Sequence, residues 1–141
     1  MLKKNGSLPL SLLLLRLGVF IVMFMWTLDK FVNPGHSAAI LEKFYFLDGV
    51  GTQVVYAFGA LEMLLILGFI LGYQKKWTYG IVLFLHASST LSAFGQYFDP
   101  WNHLLFFAAW PMLAACIALY LLRDDDTLFA LEKSPAARVD A

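Results

Sequence analysis

The sequence predicts an all-α membrane protein: a four-transmembrane-helix bundle with a short extracytoplasmic helix between spans 1 and 2. The first observation is composition, because 60% of the 141 residues are hydrophobic and only 14% are charged, whereas soluble domains carry about 25% charged residues. The second is a mean hydropathy of +0.71. The third is the arrangement of the apolar residues in four long stretches separated by polar turns.

Each apolar stretch is long enough for one crossing, because a helix needs about 20 apolar residues to span the hydrocarbon core. The stretches are predicted to be helices, since an open strand would leave backbone groups unpaired in lipid. The predicted spans cover residues 8–28, 50–73, 77–97 and 102–122. Residues 1–123 therefore form one membrane domain, and residues 124–141 form a cytoplasmic tail that is partly disordered.

The basic residues near the span ends predict the orientation of the chain. Most of them fall on one side of an alternating topology: Lys3, Lys4, Lys75, Lys76 and Arg123, against Lys30 and Lys43 on the other. The positive-inside rule then places both termini in the cytoplasm. The predicted location is a plasma membrane, with a bacterial inner membrane as the expected case.

Three local features refine this bundle. Residues 36–47 are long enough for a short helix that either lies on the membrane surface or caps the bundle. Pro111 is expected to kink the fourth span. Gly68 and Gly72 form a GxxxG motif, which predicts either a dimer face or a close contact inside the bundle.

Arg16, Glu62 and His86 are ionisable residues inside three different spans. A rise of about 1.5 Å per residue puts them roughly 12, 16 and 14 Å from the inner ends, in one layer of the membrane. Because a charge at the bilayer centre costs about 2.5–3.5 kcal/mol, we expect a buried ion pair between Arg16 and Glu62, with His86 as a hydrogen-bonding neighbour. In the alternative, Arg16 snorkels to the inner surface and the other two residues only hold helices together.

Helical periodicity adds neighbours to this cluster. One face of the third span carries small and polar side chains: His86, Ser89, Thr90, Ala93 and Tyr97. One face of the first span carries a similar series: Arg16, Phe20, Met23, Thr27 and Lys30. Trp110 on the fourth span is placed to line a pocket. The candidate site, which is either a ligand-binding site or a buried polar cluster, is therefore Arg16, Glu62, His86, Ser89, Thr90 and Trp110.

Composition and spacing also disfavour several classes of function. The formal net charge is zero, so we expect no nucleic-acid partner. The single cysteine, Cys116, excludes an internal disulfide and a CxxC dithiol. Asp29, His36, Asp99 and His103 lie in the outer loops, but their spacing matches no metal motif, and we expect no metal there.

Several short motifs resemble a known family. They are Leu14-Leu15-Arg16-Leu17-Gly18, Asp29-Lys30-Phe31 before Asn33-Pro34, Leu61-Glu62 followed by Gly68 and Gly72, and His86. Over residues 12–122 the chain resembles the DoxX-like family of small four-span membrane proteins. The resemblance implies a link to thiosulfate:quinone oxidoreductase, or a role as membrane partner of oxidoreductases or stress-response enzymes, while distant relatives resemble chaperones or cargo receptors. It places Arg16, Glu62 and His86 on polar positions that the family tends to show.

The sequence leaves three functions open. The first is a redox-associated membrane subunit, not an enzyme on its own, that binds a quinone-like or other small apolar ligand near Arg16, Glu62 and His86. The second is a non-enzymatic membrane adaptor or chaperone in which this cluster only stabilises the bundle. The third, a small proton-coupled transporter, ranks last because the sequence shows no internal repeat. The expected partners are the lipid bilayer, an oxidoreductase or other membrane subunit, and a second copy of the chain.

Overall fold

In this computed structural model, which describes residues 6–133, all regular secondary structure is helical. Within these residues five α-helices follow one another: α1 (Ser7–Val32), α2 (Pro34–Tyr45), α3 (Thr52–Ile70), α4 (Lys75–Ser92) and α5 (Ala109–Leu121). Short 3-10 helices join α4 to α5: Phe94–Phe98, Pro100–Asn102 and Leu104–Ala108. The predicted all-α class is confirmed, and the predicted short helix after the first span is α2. The end of the predicted disordered tail, residues 134–141, lies outside the described residues, as do Lys3 and Lys4.

Three helices in the described part of the chain are long and apolar enough to cross a membrane: Ser7–Val32, Thr52–Ile70 and the combined 3-10 and α-helical segment Leu104–Leu121. α4 also has 18 residues, but Lys75, Lys76, His86 and several serine and threonine residues lower its hydropathy. Length and composition thus identify three of the four predicted spans as helices able to cross a membrane, and α4 falls outside that criterion.

The four long helices form a ring in which each packs against two others. α1 packs against α3 and α5, and α4 packs against the same two helices. Every long helix contributes side chains to one buried core: Leu12, Val19, Met23, Ile66, Phe69, Tyr79, Val82, Cys116 and Leu119. The outward faces carry apolar side chains such as Leu64 and Leu121, which are 70% and 68% exposed, a pattern typical of a surface in contact with lipid.

α2 closes one end of the bundle, which we call the cap end. Pro34 opens this helix, in a position where a residue without a backbone N–H is tolerated. The helix packs against α1 and α3, and its Phe44 ring lies 6.0 Å from the ring of Phe106. The packing of α2 agrees with one of the two positions predicted for residues 36–47, the one that caps the bundle.

The opposite end, which we call the tail end, is closed by residues 122–133, the C-terminal segment. Leu131 N donates to Leu71 O over 2.9 Å, and Glu132 N donates to Gly72 O over 3.0 Å. These bonds fasten the C-terminal segment to the turn that joins α3 to α4. Because α4 begins at this turn and leads into the cap end, it traverses the whole bundle.

Pro111 lies near the start of α5, where the fourth span changes its helix type. The predicted fourth span is a 3-10 helix up to Ala108, and the α-helical part begins at Ala109. Pro111 thus lies in the first turn of α5, where backbone N–H groups have no intrahelical partner and a proline costs nothing. The irregularity that the structure shows in the fourth span is this change of helix type, two residues before the proline, and the kink itself stays a prediction.

Gly68 and Gly72 make close contacts inside the bundle. A Cβ at Gly68 would lie 3.1 Å from Thr78 Cγ2 on α4, and a Cβ at Gly72 would lie 2.6 Å from Arg16 Nη1. Gly72 has a φ of +58°, and the bond from Tyr73 N to Gly68 O, 2.9 Å long, closes the C-terminus of α3 in a Schellman motif. The internal-contact alternative for the GxxxG motif is therefore confirmed.

Gly72→Ala tests the role of this turn. We expect the free energy of unfolding to fall by about 2 kcal/mol, since a left-handed conformation costs a residue with a Cβ about 1–2 kcal/mol and the methyl group would overlap Arg16. Gly18→Ala is the matched control, because nothing lies within 4 Å of a Cβ added at Gly18 and alanine favours a helix. Denaturant titration in detergent micelles checks the prediction, and equal stabilities of the two variants would contradict it.

Candidate functional site

Arg16 is fully buried, and its guanidinium group contacts the C-terminal segment. Nη1 lies 3.4 Å from Asp126 Oδ2, in an ion pair with no exposed side-chain surface on either partner. Nη1 also donates to Tyr79 Oη over 3.2 Å, and Nη2 donates to the carbonyl oxygens of Leu128 and Phe129. The arginine thus joins α1, α4 and the C-terminal segment in one contact.

Tyr79 links the two charges from α4. Its hydroxyl donates to Asp126 Oδ2 over 2.7 Å and accepts a hydrogen bond from Arg16. Its ring lies 4.9 Å from the ring of Phe69, which anchors this polar contact in the apolar core. Among the described residues, Arg16 Nε and Asp126 Oδ1 are buried and have no hydrogen-bond partner, so one donor and one acceptor of the pair stay unsatisfied.

Lys75 holds the C-terminal segment from a second direction. Its ammonium group donates to Arg123 O over 2.7 Å and to Asp126 O over 3.1 Å. Lys75 N donates to Glu132 Oε2 over 2.7 Å, which places a carboxylate at the N-terminus of α4, where the helix dipole favours it. Burial lowers the pKa of the Lys75 ammonium group, and the attraction of Asp126, Glu132 and Asp124 opposes that shift.

Glu62 does not pair with Arg16, so the predicted ion pair between them is wrong. Glu62 Oε2 instead lies 3.0 Å from Lys30 Nζ, and Glu62 Oε1 accepts from Thr27 Oγ1 over 2.9 Å. Thr27 follows Arg16 by eleven residues on α1, which is about 16 Å along a helix. The guanidinium group lies further still from Glu62, because helical side chains point toward the N-terminus of their helix.

The depth estimate failed because each residue was measured from the end of its own predicted span. In the structure the guanidinium group of Arg16 is level with the turn after α3, since a Cβ at Gly72 would lie 2.6 Å from Nη1. Glu62 precedes Gly72 by ten residues, which places it about 15 Å nearer the cap end. The two charges therefore lie in different layers of the bundle.

His86, Thr90 and Trp110 come together between α4 and α5, in what we call the histidine group. His86 Nε2 lies 2.9 Å from Ala109 O; since a carbonyl oxygen only accepts, Nε2 carries a proton. Tyr97 Oη donates to Thr90 O over 2.9 Å, and the Tyr97 ring lies 5.5 Å from the ring of Trp110. The histidine group is thus a separate contact, distinct from the ion pair at the tail end.

The polar residues at the cap end are bonded to near neighbours. His36 Nδ1 lies 2.7 Å from Asp29 Oδ2, which also accepts from Ser37 Oγ over 3.1 Å. Asn102 Nδ2 donates to Asp99 Oδ2 over 2.8 Å. The part of the chain that the structure describes contains no group of three or more side chains able to hold a metal ion.

The predicted site residues therefore separate into four places. Arg16 lies at the tail end, and Glu62 lies toward the cap end. His86, Thr90 and Trp110 form the histidine group, and Ser89 is exposed on α4. Sequence reasoning missed the partners of Arg16 and Glu62. The sequence places Lys30, the partner of Glu62, on the same helical face as Arg16, so this partner could have been predicted. Asp126 could not, because its contact with Arg16 forms only when the C-terminal segment folds back onto the bundle.

Two shallow grooves lie on the surface of the described bundle. One, of about 260 Å³, runs along α3 and is lined by Gln53, Val54, Ala57, Phe58 and Leu61. The other, of about 230 Å³, lies between α4 and α5 and is lined by Lys76, Trp77, Gly80, Ile81, Phe84 and Tyr120. Neither groove is lined by Arg16, Glu62 or His86.

Asp126→Asn tests the ion pair at the tail end. The change keeps the shape of the side chain but removes its charge, which leaves Arg16 buried without a counter-charge. We expect the free energy of unfolding in micelles to fall by about 3–5 kcal/mol, the usual cost of breaking a buried pair from one side. Asp124→Asn, at an exposed position, is the control and should be near neutral. Equal stability of the two variants would show that the pair does not hold the C-terminal segment.

A double-mutant cycle separates the observed pairing from the predicted one. Glu62→Gln and Lys30→Met should be coupled by about 1 kcal/mol, because their charged atoms lie 3.0 Å apart in a mostly buried contact. Glu62→Gln and Arg16→Met should be additive, since the two side chains have different partners. Denaturant titration of each single and double variant gives both coupling energies. Coupling of Glu62 to Arg16 and not to Lys30 would contradict this geometry.

Comparisons with known proteins assign no family to this geometry. No family model matches the chain, and no curated protein or solved structure is significantly similar to it. The resemblance to the DoxX-like family therefore stays a prediction, supported by the short motifs around Arg16, Glu62 and His86.

Proposed function

We propose that the protein is a four-span integral membrane protein that acts as a non-enzymatic adaptor for other membrane proteins. In this proposal the ionisable residues inside the bundle hold its helices together and do not act on a substrate. The resemblance to the DoxX-like family agrees with such a role, because it implies membrane partners of other enzymes.

One observation carries the proposal: each ionisable residue predicted to do chemistry already has a structural partner. Arg16 is paired with Asp126. Glu62 is paired with Lys30, and His86 donates to a backbone carbonyl of α5. Each contact links two elements: α1 to the C-terminal segment, α1 to α3, and α4 to α5. Since apolar helices gain little from associating in lipid, polar links of this kind set their arrangement.

The path of the chain supports a fourth crossing by α4. Lys75, its first residue, contacts the C-terminal segment at the tail end, and the 3-10 helices that follow it meet α2 at the cap end. If the apolar helices α3 and α5 cross the bilayer, α4 connects their opposite ends and crosses as well. The tail end then faces the cytoplasm, because Lys75, Lys76 and Arg123 lie there and basic residues stay inside.

The histidine group favours a second candidate function, the binding of a quinone-like ligand from the bilayer. Because His86 Nε2 donates to a backbone carbonyl, Nδ1 is the ring atom that would exchange a hydrogen bond with a ligand. Trp110, which is 45% exposed and lies 5.5 Å from the Tyr97 ring, supplies an aromatic surface in the same group. In this case the protein would be a membrane subunit that presents the ligand to an oxidoreductase partner.

Single cysteines in a Cys116→Ala background test the topology. Asp48→Cys and Asp99→Cys at the cap end should react with a membrane-impermeant maleimide applied outside intact cells. Lys76→Cys and Asp124→Cys at the tail end should react only after the membrane is permeabilised. Labelling of Lys76→Cys and Asp99→Cys from the same side would exclude a crossing by α4.

Native mass spectrometry of the gently solubilised chain, with lipid extraction of the same sample, separates the two functions. The adaptor proposal expects a protein partner at fixed stoichiometry and no retained quinone. The quinone proposal expects a bound small molecule that His86→Ala removes and that Ser89→Ala, at an exposed position of α4, leaves in place. A chain that carries neither would contradict both proposals.

A further inference from the structure

The groove between α4 and α5 offers an apolar track at the tail end of the bundle. The Tyr120 ring forms its floor and lies close to the backbone of α4 at Gly80. A Cβ at Gly80 would lie only 3.2 Å from Tyr120 Cε2. Trp77, Ile81 and Phe84 line it with side chains that are 62%, 43% and 68% exposed. From the first to the last of these residues the helix rises about 10 Å, which is enough to contact half of an acyl chain.

Two cations are stacked on the aromatic rings that line this groove. Lys76 Nζ lies 5.6 Å from the centre of the Trp77 ring, and Arg123 Cζ lies 4.8 Å from the centre of the Tyr120 ring. Arg123 Nη1 donates to Tyr120 O over 2.6 Å, which uses one of the five donors of a guanidinium group. Lys75 Nζ donates to Arg123 O over 2.7 Å, so the backbone of Arg123 is fastened to α4 next to Lys76.

Of the four acidic residues in the C-terminal segment, two are bonded to other groups of the bundle. Asp126 pairs with Arg16 inside the bundle, and Glu132 accepts from the backbone of α4. Asp124 and Asp125 follow Arg123 in the chain, and the variants proposed below leave them unchanged.

The groove along α3 can be compared with the groove between α4 and α5. It is of similar size, at about 260 Å³, but its lining residues carry no charge. The tail of any lipid can lie in either groove, whereas a phosphate finds cations only at the groove between α4 and α5. We therefore expect the two grooves to differ in the lipid headgroup that they select.

We propose that the groove between α4 and α5 binds one anionic phospholipid, with its phosphate held by Lys76 and Arg123 and an acyl chain along Trp77, Ile81 and Phe84. The proposal rests on the four-span topology, which places the tail end at the cytoplasmic surface of the membrane. Basic pockets between helices on that side attract anionic headgroups, and each cation near the surface contributes roughly fivefold in affinity.

The full-length chain, reconstituted in vesicles of equimolar phosphatidylglycerol and phosphatidylcholine and then studied by native mass spectrometry, tests this site. The wild type is expected to retain one phosphatidylglycerol in preference to phosphatidylcholine. The double variant with Lys76→Gln and Arg123→Gln should lower that preference roughly 10- to 30-fold. Lys43→Gln is the matched control, because Lys43 Nζ is also stacked on a ring, 5.3 Å from the centre of Phe44, but lies at the cap end.

Ile81→Trp is a second variant that fills the groove without changing its charge, and it should displace the retained lipid. Equal retention of both lipids by the wild type, or a preference that survives the double variant, would mean non-selective lipid around the bundle and would overturn the proposal. The four-span topology is tested separately, by maleimide labelling of Lys76→Cys and Asp99→Cys. The two proposals can therefore fail independently.

Discussion

The buried charge of Arg16 is the constraint on which much of this structure depends. A guanidinium group without exposed surface needs an anion and several acceptors, and the chain supplies them from the far end of the sequence, as Asp126 and the carbonyl groups of Leu128 and Phe129. The C-terminal segment therefore turns back onto the bundle after its last helix. The same constraint explains Gly72, since only a residue without a Cβ leaves room for the guanidinium group at the turn after α3.

Polar contacts at both ends of the bundle orient helices that apolar packing alone orients weakly. At the tail end Arg16 and Lys75 connect α1 and α4 to the C-terminal segment. Toward the cap end Lys30 and Glu62 connect α1 to α3. In a bilayer, whose lipid tails are as apolar as the outer side chains, burial would give little preference for one rotation of a helix over another. The polar contacts supply that preference, and the core between them stays apolar.

The two adjacent lysines at the start of α4 have different roles, because one is buried in the bundle and the other is exposed on its surface. Successive residues of a helix point about 100° apart, so Lys75 and Lys76 face different surroundings. Lys75 is 1% exposed and bonds to backbone carbonyls of the C-terminal segment, while Lys76 is exposed beside Trp77. The same turn therefore closes the bundle on one side and presents a positive charge on the outside of the bundle on the other.

The sequence by itself determined the helical class, the approximate positions of the four long helices and the inward face of α1. Lipid demands long apolar helices, and a buried face repeats every three or four residues, so Arg16, Met23 and Thr27 were found on one buried stripe. Only the tertiary structure decided which charges pair. The packing of α1 against α3 decides how far one helix is shifted along the other, and this shift places Glu62 in a different layer from Arg16. Asp126 lies in a polar run without periodicity, and a contact between distant segments leaves no mark in the local sequence.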